Sequence, residues 1–316
     1  MFAAAVIQRL EGERLHLSHG PIDVVLKAWG EPEAMRAAYA AAGARFPTIL
    51  PELCDELTAL RAPMADRPQV DGAVARRMTE ACRPFADVFV TPMAAVAGAV
   101  ADELLAHMTA AAFLERAFVN DGGDIAVLIA PGHALDIGVA GEFSHGATPS
   151  INGCIRLEAA SGVGGIATSG ARGRSFSLGI ADSVTILARD AATADVAATL
   201  VANAVDIDSP AIRRCPAREL DPDSDLRDLP VTVAVGALEP ADIEIALGRG
   251  LERAFDYRQR GLIVDAALML QGRMRALGTG ASHASLSPIA AGPAIAPPAL
   301  VWDRNRRGAQ TSSVPP

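Results

Sequence analysis

The 316-residue sequence predicts an α+β fold in which antiparallel strands pack on two central Ala-rich helices. Three observations carry that expectation. Strand–turn–strand segments recur at 14–29 and 116–132, each broken by a glycine turn. Two stretches, 93–108 and 191–206, are Ala-rich and nearly free of charge, so as helices they are buried almost all round. Half of the chain is hydrophobic but only 4% is aromatic, so the core is built from Ala, Val, Ile and Leu and its helices approach closely.

Each element follows from local chemistry. RLHLSHGPIDVVLKAW (14–29) partly alternates and turns at Gly20-Pro21, which predicts a hairpin with His19 solvated in its turn. Glu31-Pro32-Glu33 opens a helix, with proline in the first turn and acids at the positive end. A second helix is expected after Pro51. Pro63, Pro68, Pro84 and Pro92 punctuate the next stretch, leaving a short helix at 72–82 and a strand-like VFV at 88–90. The buried helix 93–108 leads to strand, Gly-Gly turn and strand over 116–132, then further strands over 134–160. A glycine-rich stretch from 161 ends in the strand SVTILA, and the second buried helix follows at 191–206. Residues 213–229 are expected as a polar loop, 231–236 as a strand, and 240–275 as two helices. Residues 278–316 are rich in Gly, Ser and Pro without periodicity and are expected to be a disordered tail outside a single domain at 1–277. Ala101-Asp102 and Ala194-Asp195 echo each other. That echo points to two similar halves meeting near 150–160, although composition alone produces the same likeness.

Charge and motifs exclude several functions. A net charge of −9, with Lys27 the only lysine among 28 basic residues, argues against general nucleic-acid binding. Cys54, Cys82, Cys154 and Cys215 have no CxxC spacing and read as reduced thiols of a cytoplasmic protein. No signal peptide or membrane span is expected. The absence of a Ser-His-Asp order, an HExxH motif and a Cys–His cluster disfavours a protease or a structural zinc protein.

Three sets of residues could carry chemistry. Asp195 and Thr199, at i and i+4, share a helix face and offer the hard oxygens that Mg²⁺ prefers. From spacing alone a helix start is favoured instead, with Thr193 as cap and Asp195 meeting the dipole. Thr168-Ser169-Gly170-Ala171-Arg172-Gly173-Arg174-Ser175 combines glycines, hydroxyls and two arginines suited to a phosphate, or is an exposed hairpin. Asn120-Asp121-Gly122-Gly123-Asp124 makes a tight turn whose Asp124 could meet a ligand, or needs none. Asp102 and Asp182 are acids in apolar surroundings and must be hydrogen-bonded or metal-bound.

The strings TPMAAVAGAVAD, VNDGGDIA, GIATSGARGRSFSLGIADSVTILA and ADVAATLVANAV resemble an uncharacterised bacterial and archaeal UPF-type family of the ApbE-like superfamily. The resemblance covers about residues 10–277 and implies a T-fold-like architecture. The superfamily's FAD:protein FMN transferases bind FAD and Mg²⁺. Their Gly-Gly-Asp matches Gly122, Gly123 and Asp124, and their Thr-Ser-Gly matches Thr168, Ser169 and Gly170. Their metal-binding Asp and Thr match Asp195 and Thr199, and the helix start at Val96 matches the rest of that site. The chain departs from them at Ala97-Gly98, where they carry Lys-Gly, and at Leu178–Ser183, where their His-His pair is missing and Asp182 stands for the Asp. The resemblance implies a Mg²⁺-dependent enzyme on a phosphate-bearing, flavin-like ligand. Arg172 and Arg174 would clamp oxygens, and Asp182 or Asp124 would act as base. A non-catalytic flavin- or nucleotide-binding protein and a structural partner, with a homo-oligomer left open, are the alternatives on the same scaffold.

Overall fold

A computed structural model describes residues 3–142, 150–173, 175–278 and 285–288. The chain opens with strands β1 (Val6–Leu10), β2 (Arg14–His19) and β3 (Ile22–Trp29). Helices α1 (Pro32–Asp55), α2 (Leu57–Leu60), α3 (Ala73–Cys82) and α4 (Val96–Ala111) follow. Next come the hairpins β4 (Arg116–Asp121) with β5 (Asp124–Ile129), and β6 (Ala134–Glu142) with β7 (Ser150–Glu158). Strands β8 (Gly165–Ser169) and β9 (Ser183–Ala188) lead into α5 (Ala191–Ala204). The chain then forms β10 (Ile212–Pro216), α6 (Ala217–Leu220), β11 (Pro230–Val235), α7 (Pro240–Gln259), β12 (Asp265–Leu270), β13 (Arg273–Ala276) and β14 (Ser285–Pro288).

Nine strands form one antiparallel sheet in the order β1-β2-β3-β4-β5-β8-β9-β12-β13. Residues of β2 and β3 alternate between buried and half-buried, as strands do with one face on a core. Strand β9 is buried throughout because both of its faces are covered. Val184, Ile186 and Ala188 join the main core under the helices. Leu187 joins a second core with Val127, Leu135, Ile155, Leu157, Val163 and Ile166, which seats the β6–β7 hairpin on the opposite face. The order hairpin, helices, hairpin occurs twice. Strands β2–β3 and β4–β5 bracket α1 to α4, and β8–β9 and β12–β13 bracket α5 to α7.

Several expectations change. Helix α1 runs unbroken through Pro47 and Pro51 instead of restarting. Each proline removes one hydrogen bond, but Phe46, Ile49, Leu50 and Leu53 are buried around them and hold the helix on the core. No strand forms at 88–90. Residues 265–276 form a hairpin, not a helix, because β12 completes the sheet beside β9 and tertiary pairing overrides helix propensity. The polar loop at 213–229 contains most of β10 and all of α6. His19 is 6% exposed, not solvated. Four residues of the expected tail, Ser285–Pro288, pair with β7, and residues 289–316 lie outside the described residues.

The first turns of α4 and α5 lie side by side in opposite senses. Asp102 of α4 accepts hydrogen bonds from the N–H groups of Ala191 (3.0 Å) and Ala192 (2.9 Å) at the start of α5. Asp195 of α5 accepts one from the N–H of Gly98 (3.0 Å) at the start of α4. This close approach requires glycine, since a Cβ on Gly98 would stand 2.2 Å from the carbonyl oxygen of Ala191. Gly98→Ala should therefore destabilise the protein by about 2–3 kcal/mol through overpacking, measured by chemical denaturation. An unchanged midpoint would mean that the helices can separate at no cost.

Candidate functional site

Residues flagged by their chemistry gather at one end of the nine-stranded sheet, where the β4–β5 turn meets the end of β8. Gly122 (φ 66°) and Gly123 (φ 117°) form that turn. Two positive φ values in succession are what a two-residue hairpin loop demands. The N–H of Gly123 donates to Asn120 Oδ1 at 2.8 Å. Asp121 and Asp124 stand opposite each other across the turn. The Thr168 N–H lies 3.4 Å from Asp124 Oδ1, and the Thr168 and Thr185 hydroxyls are hydrogen-bonded at 2.9 Å.

Asp195 faces this turn from α5. Its carboxyl is held well above the usual carboxylate range, first by burial and then by the charges of Asp124 and Asp121; the N–H groups of Gly98 and Ala97 oppose the shift. Burial and the same Asp195 charge push the Cys82 thiol up. Asp195 thus caps α4 rather than its own helix. The expected cap Thr193 instead donates its N–H to Asp190 Oδ1 (2.7 Å), the true N-cap of α5. Thr199 lies one turn along from Asp195 on the same face, and Val96 opens α4.

Among the described residues no three His, Cys, Asp or Glu side chains are placed to hold a metal by themselves. The donor set nevertheless fits a hard cation. Asp195 offers carboxyl oxygens held by the N–H groups of Gly98 and Ala97, Thr199 carries a hydroxyl one turn along, and the neighbouring carboxylates raise the cost of Asp195's charge.

Asp182 is placed differently. Its carboxylate takes an ion pair from Arg172 Nε at 3.0 Å and a hydrogen bond from the Gln271 N–H. Gln271 in turn accepts from the Leu238 N–H (3.1 Å) and donates to the Gly236 carbonyl (2.7 Å). A Cβ on Gly170 would lie 2.5 Å from the Asp182 carbonyl oxygen, so the 170–173 turn is pressed onto this segment. Asp182 therefore ties three segments together, and Arg172 is already engaged. Arg174 lies outside the described residues. Sequence reasoning missed Asp121, Cys82 and Asp190 as neighbours of this end of the fold. Asp121 was signalled by its place in the Asn120–Asp124 turn, whereas nothing in the sequence pointed to Cys82.

A family model described as AbpE bacteria matches residues 6–276. The UPF0280 protein of Methanothrix thermoacetophila is 36% identical over 149 residues, 46% of this chain and 58% of that protein. The UPF0280 protein of Methanopyrus kandleri is 35% identical over 137 residues, 43% of this chain and 51% of that protein. The chain thus spans about half the length of these curated relatives. A crystal structure of the ApbE protein from Thermotoga maritima overlaps with a TM-score of 0.49 at 14% identity, covering 87% of this chain and 96% of that one. Among the described residues no helix is long and apolar enough to cross a membrane.

Burial, the largest cause, raises the Asp102 carboxyl from 3.8 to about 6; Asp190 adds to this, and the N–H groups of Ala192 and Ala191 with Arg77 oppose it. A carboxyl raised on folding favours the folded state most below its unfolded pKa, and that advantage is lost as pH climbs to the folded value. Stability should therefore fall by on the order of 2 kcal/mol between about pH 4 and pH 6 on account of Asp102. Asp102→Asn keeps an acceptor for α5 and should flatten that segment of the pH–stability curve. Asp102→Ala should instead cost about 1 kcal/mol as a lost cap. An Asn variant with the wild-type pH slope would refute the assignment.

Proposed function

The chain belongs to the AbpE bacteria family, and from that premise we propose that it binds a flavin or another phosphate-bearing ligand together with Mg²⁺ and acts on it as a transferase or phosphate-ester-cleaving enzyme. One observation carries the proposal. Asp195 is buried beside Asp124 and Asp121, whose charges make its own costlier, next to the hydroxyl-lined end of β8. Such a group calls for a proton or a cation, and Asp195 and Thr199 would hold the cation. Bound there, Mg²⁺ would neutralise charge on phosphate oxygens. The flavin class rests on the Gly122-Gly123-Asp124 and Thr168-Ser169-Gly170 resemblance. Asp124, across the β4–β5 turn and beside Asp195, is the candidate base, and Asp182 is held by Arg172 and Gln271. The free thiols Cys54, Cys82 and Cys215 suit a reducing compartment, so the cytoplasm is the proposed location.

A non-catalytic ligand-binding protein on the same site is the second interpretation. It is favoured by the commitment of both Asp182 and Arg172 to each other.

The test is thermodynamic coupling. Mg²⁺ should tighten FAD binding, and FAD should tighten Mg²⁺ binding by the same factor. Because the Asp195 carboxyl is raised, its proton competes with the cation, so Mg²⁺ affinity should grow as pH rises. Asp195→Asn should abolish the coupling while leaving the protein folded. Calorimetric titration of FAD with Mg²⁺ and with a chelator measures this. Equal FAD affinity in both would sink the metal assignment and leave Asp195 as a helix cap alone.

A further inference from the structure

Strands β1 and β13 form the two edges of the nine-stranded sheet, and among the described residues each has a neighbouring strand on one side only. An edge strand presents a row of N–H and C=O groups that a further strand can take up, so edges are commonly guarded by charge, proline or a bulge. The β13 edge is guarded. All its residues are exposed, and Arg273 and Arg275 both pair with Glu244 of α7, which holds two guanidinium groups beside that edge. The β1 edge, Val6-Ile7-Gln8-Arg9-Leu10, carries one charge and no proline, and it pairs residue for residue with β2 without a bulge. Val6 is 44% and Ile7 45% exposed, two β-branched side chains left outside the core at an open edge.

Strand alternation places these side chains. Ile7 and Arg9 stand opposite Leu17 and Leu15, which are buried in the core under the helices, so they lie on the helix side of the sheet. Val6, Gln8 and Leu10 lie on the other side. A Cβ on Gly43 of α1 would stand 3.4 Å from Ile7 Cδ1, so α1 runs over this edge. Ala40 and Ala44, within one turn of Gly43, are exposed and small enough to leave room for a second helix. When β1 meets a second β1 in antiparallel sense, one register engages every residue of the strand. It sets Gln8 against Gln8, Val6 against Leu10 and Ile7 against Arg9. Apolar side chains then meet on one face, the stem of Arg9 covers Ile7 on the other, and no two like charges stand directly opposite. The strand is thus complementary to itself, as a two-fold interface demands.

We propose that β1 pairs antiparallel with β1 of a second copy of this chain, about a two-fold axis at Gln8, so that the two sheets join into one with the α1 helices side by side on it. The β4–β5 turn lies at the end of the sheet where β1 begins, since Val6 pairs with Ser18, Ser18 with Asp23, and Val24 with Asp121. Antiparallel pairing therefore points the acidic ends of the two copies in opposite directions and leaves both open. The pairing does not depend on what binds there. A five-residue seam is small against the roughly 1,000 Å² of a stable interface, so α1 adds to it and the association is expected in the micromolar range.

Sedimentation of the full chain over about 1 µM to about 1 mM tests the pairing. Wild type should pass from monomer to dimer within that range. Gln8 is exposed, so Gln8→Lys and Gln8→Glu should both fold as wild type does, which circular dichroism checks. Each variant sets like charges against one another on the axis and should weaken the dimer roughly fivefold. Mixing the two variants in equal amounts sets Lys against Glu, and native mass spectrometry of the mixture should show the mixed dimer in excess of random pairing. A wild type that stays monomeric at the highest concentration overturns the proposal. A wild-type dimer that both variants leave unchanged assigns the dimer to another surface and overturns it as well. Random pairing in the mixture would refute the register at Gln8.

Discussion

Two carboxylates exchanged between helices hold the centre of this fold. Helices α4 and α5 are built from alanine and glycine, which lets their first turns touch at Gly98 and Ala191. Contact that close buries both helix starts, and a buried helix start leaves unsatisfied N–H groups. Asp102 accepts from two N–H groups of α5, whose own N-cap Asp190 takes a third, and Asp195 takes those of Gly98 and Ala97 at the start of α4. Each helix start thus leans on a carboxyl group from the other helix. Position and charge are therefore linked. The carboxylate that faces the β4–β5 turn is fixed in place by the helix it caps, and it cannot move toward a ligand without uncapping that helix.

This explains what the sequence did and did not reveal. The Ala-Asp echo at 101–102 and 194–195 is visible in the sequence, and a duplicated unit is the natural first interpretation. In the fold, α4 precedes its hairpin β4–β5, whereas α5 follows its hairpin β8–β9, so the two helices occupy different places in the repeated order. The two Asp residues resemble each other because they do the same job for one another. The buried Ala-rich helices, the glycine turn at 122–123 and the strand SVTILA were legible because each rests on local periodicity or on a local backbone demand. The uninterrupted α1 and the β12–β13 hairpin were not, because distant packing decides both. The Asp182 contacts were hidden for the same reason, since Gln271 is 89 residues away.

Electrostatics separates the two acids that the sequence treated alike. Asp182 has a guanidinium and an N–H as partners, so its negative charge is compensated on the spot. Asp195 is buried beside two carboxylates whose charges raise it, and the N–H groups of Gly98 and Ala97 oppose the shift. A helix start contributes about half a positive charge, and the N–H groups of Asp23 and Thr168 reach Asp121 and Asp124 as well.

The same contrast bears on the arginine. A phosphate reaching the 168–173 turn meets Arg172 already paired with Asp182 at 3.0 Å, and the arginine is about half exposed. Exposed ion pairs are worth about 0–1 kcal/mol, so a doubly charged phosphate can draw the guanidinium away at small cost. The Asp182 carboxylate would keep the Gln271 N–H and so would not be left without a partner. An anion at this turn thus needs no rearrangement of the backbone, whereas a ligand that displaced Asp195 would have to uncap α4. The two acids thus differ in their setting: Asp195 is held by the helix it caps, whereas Asp182 is paired with a half-exposed arginine.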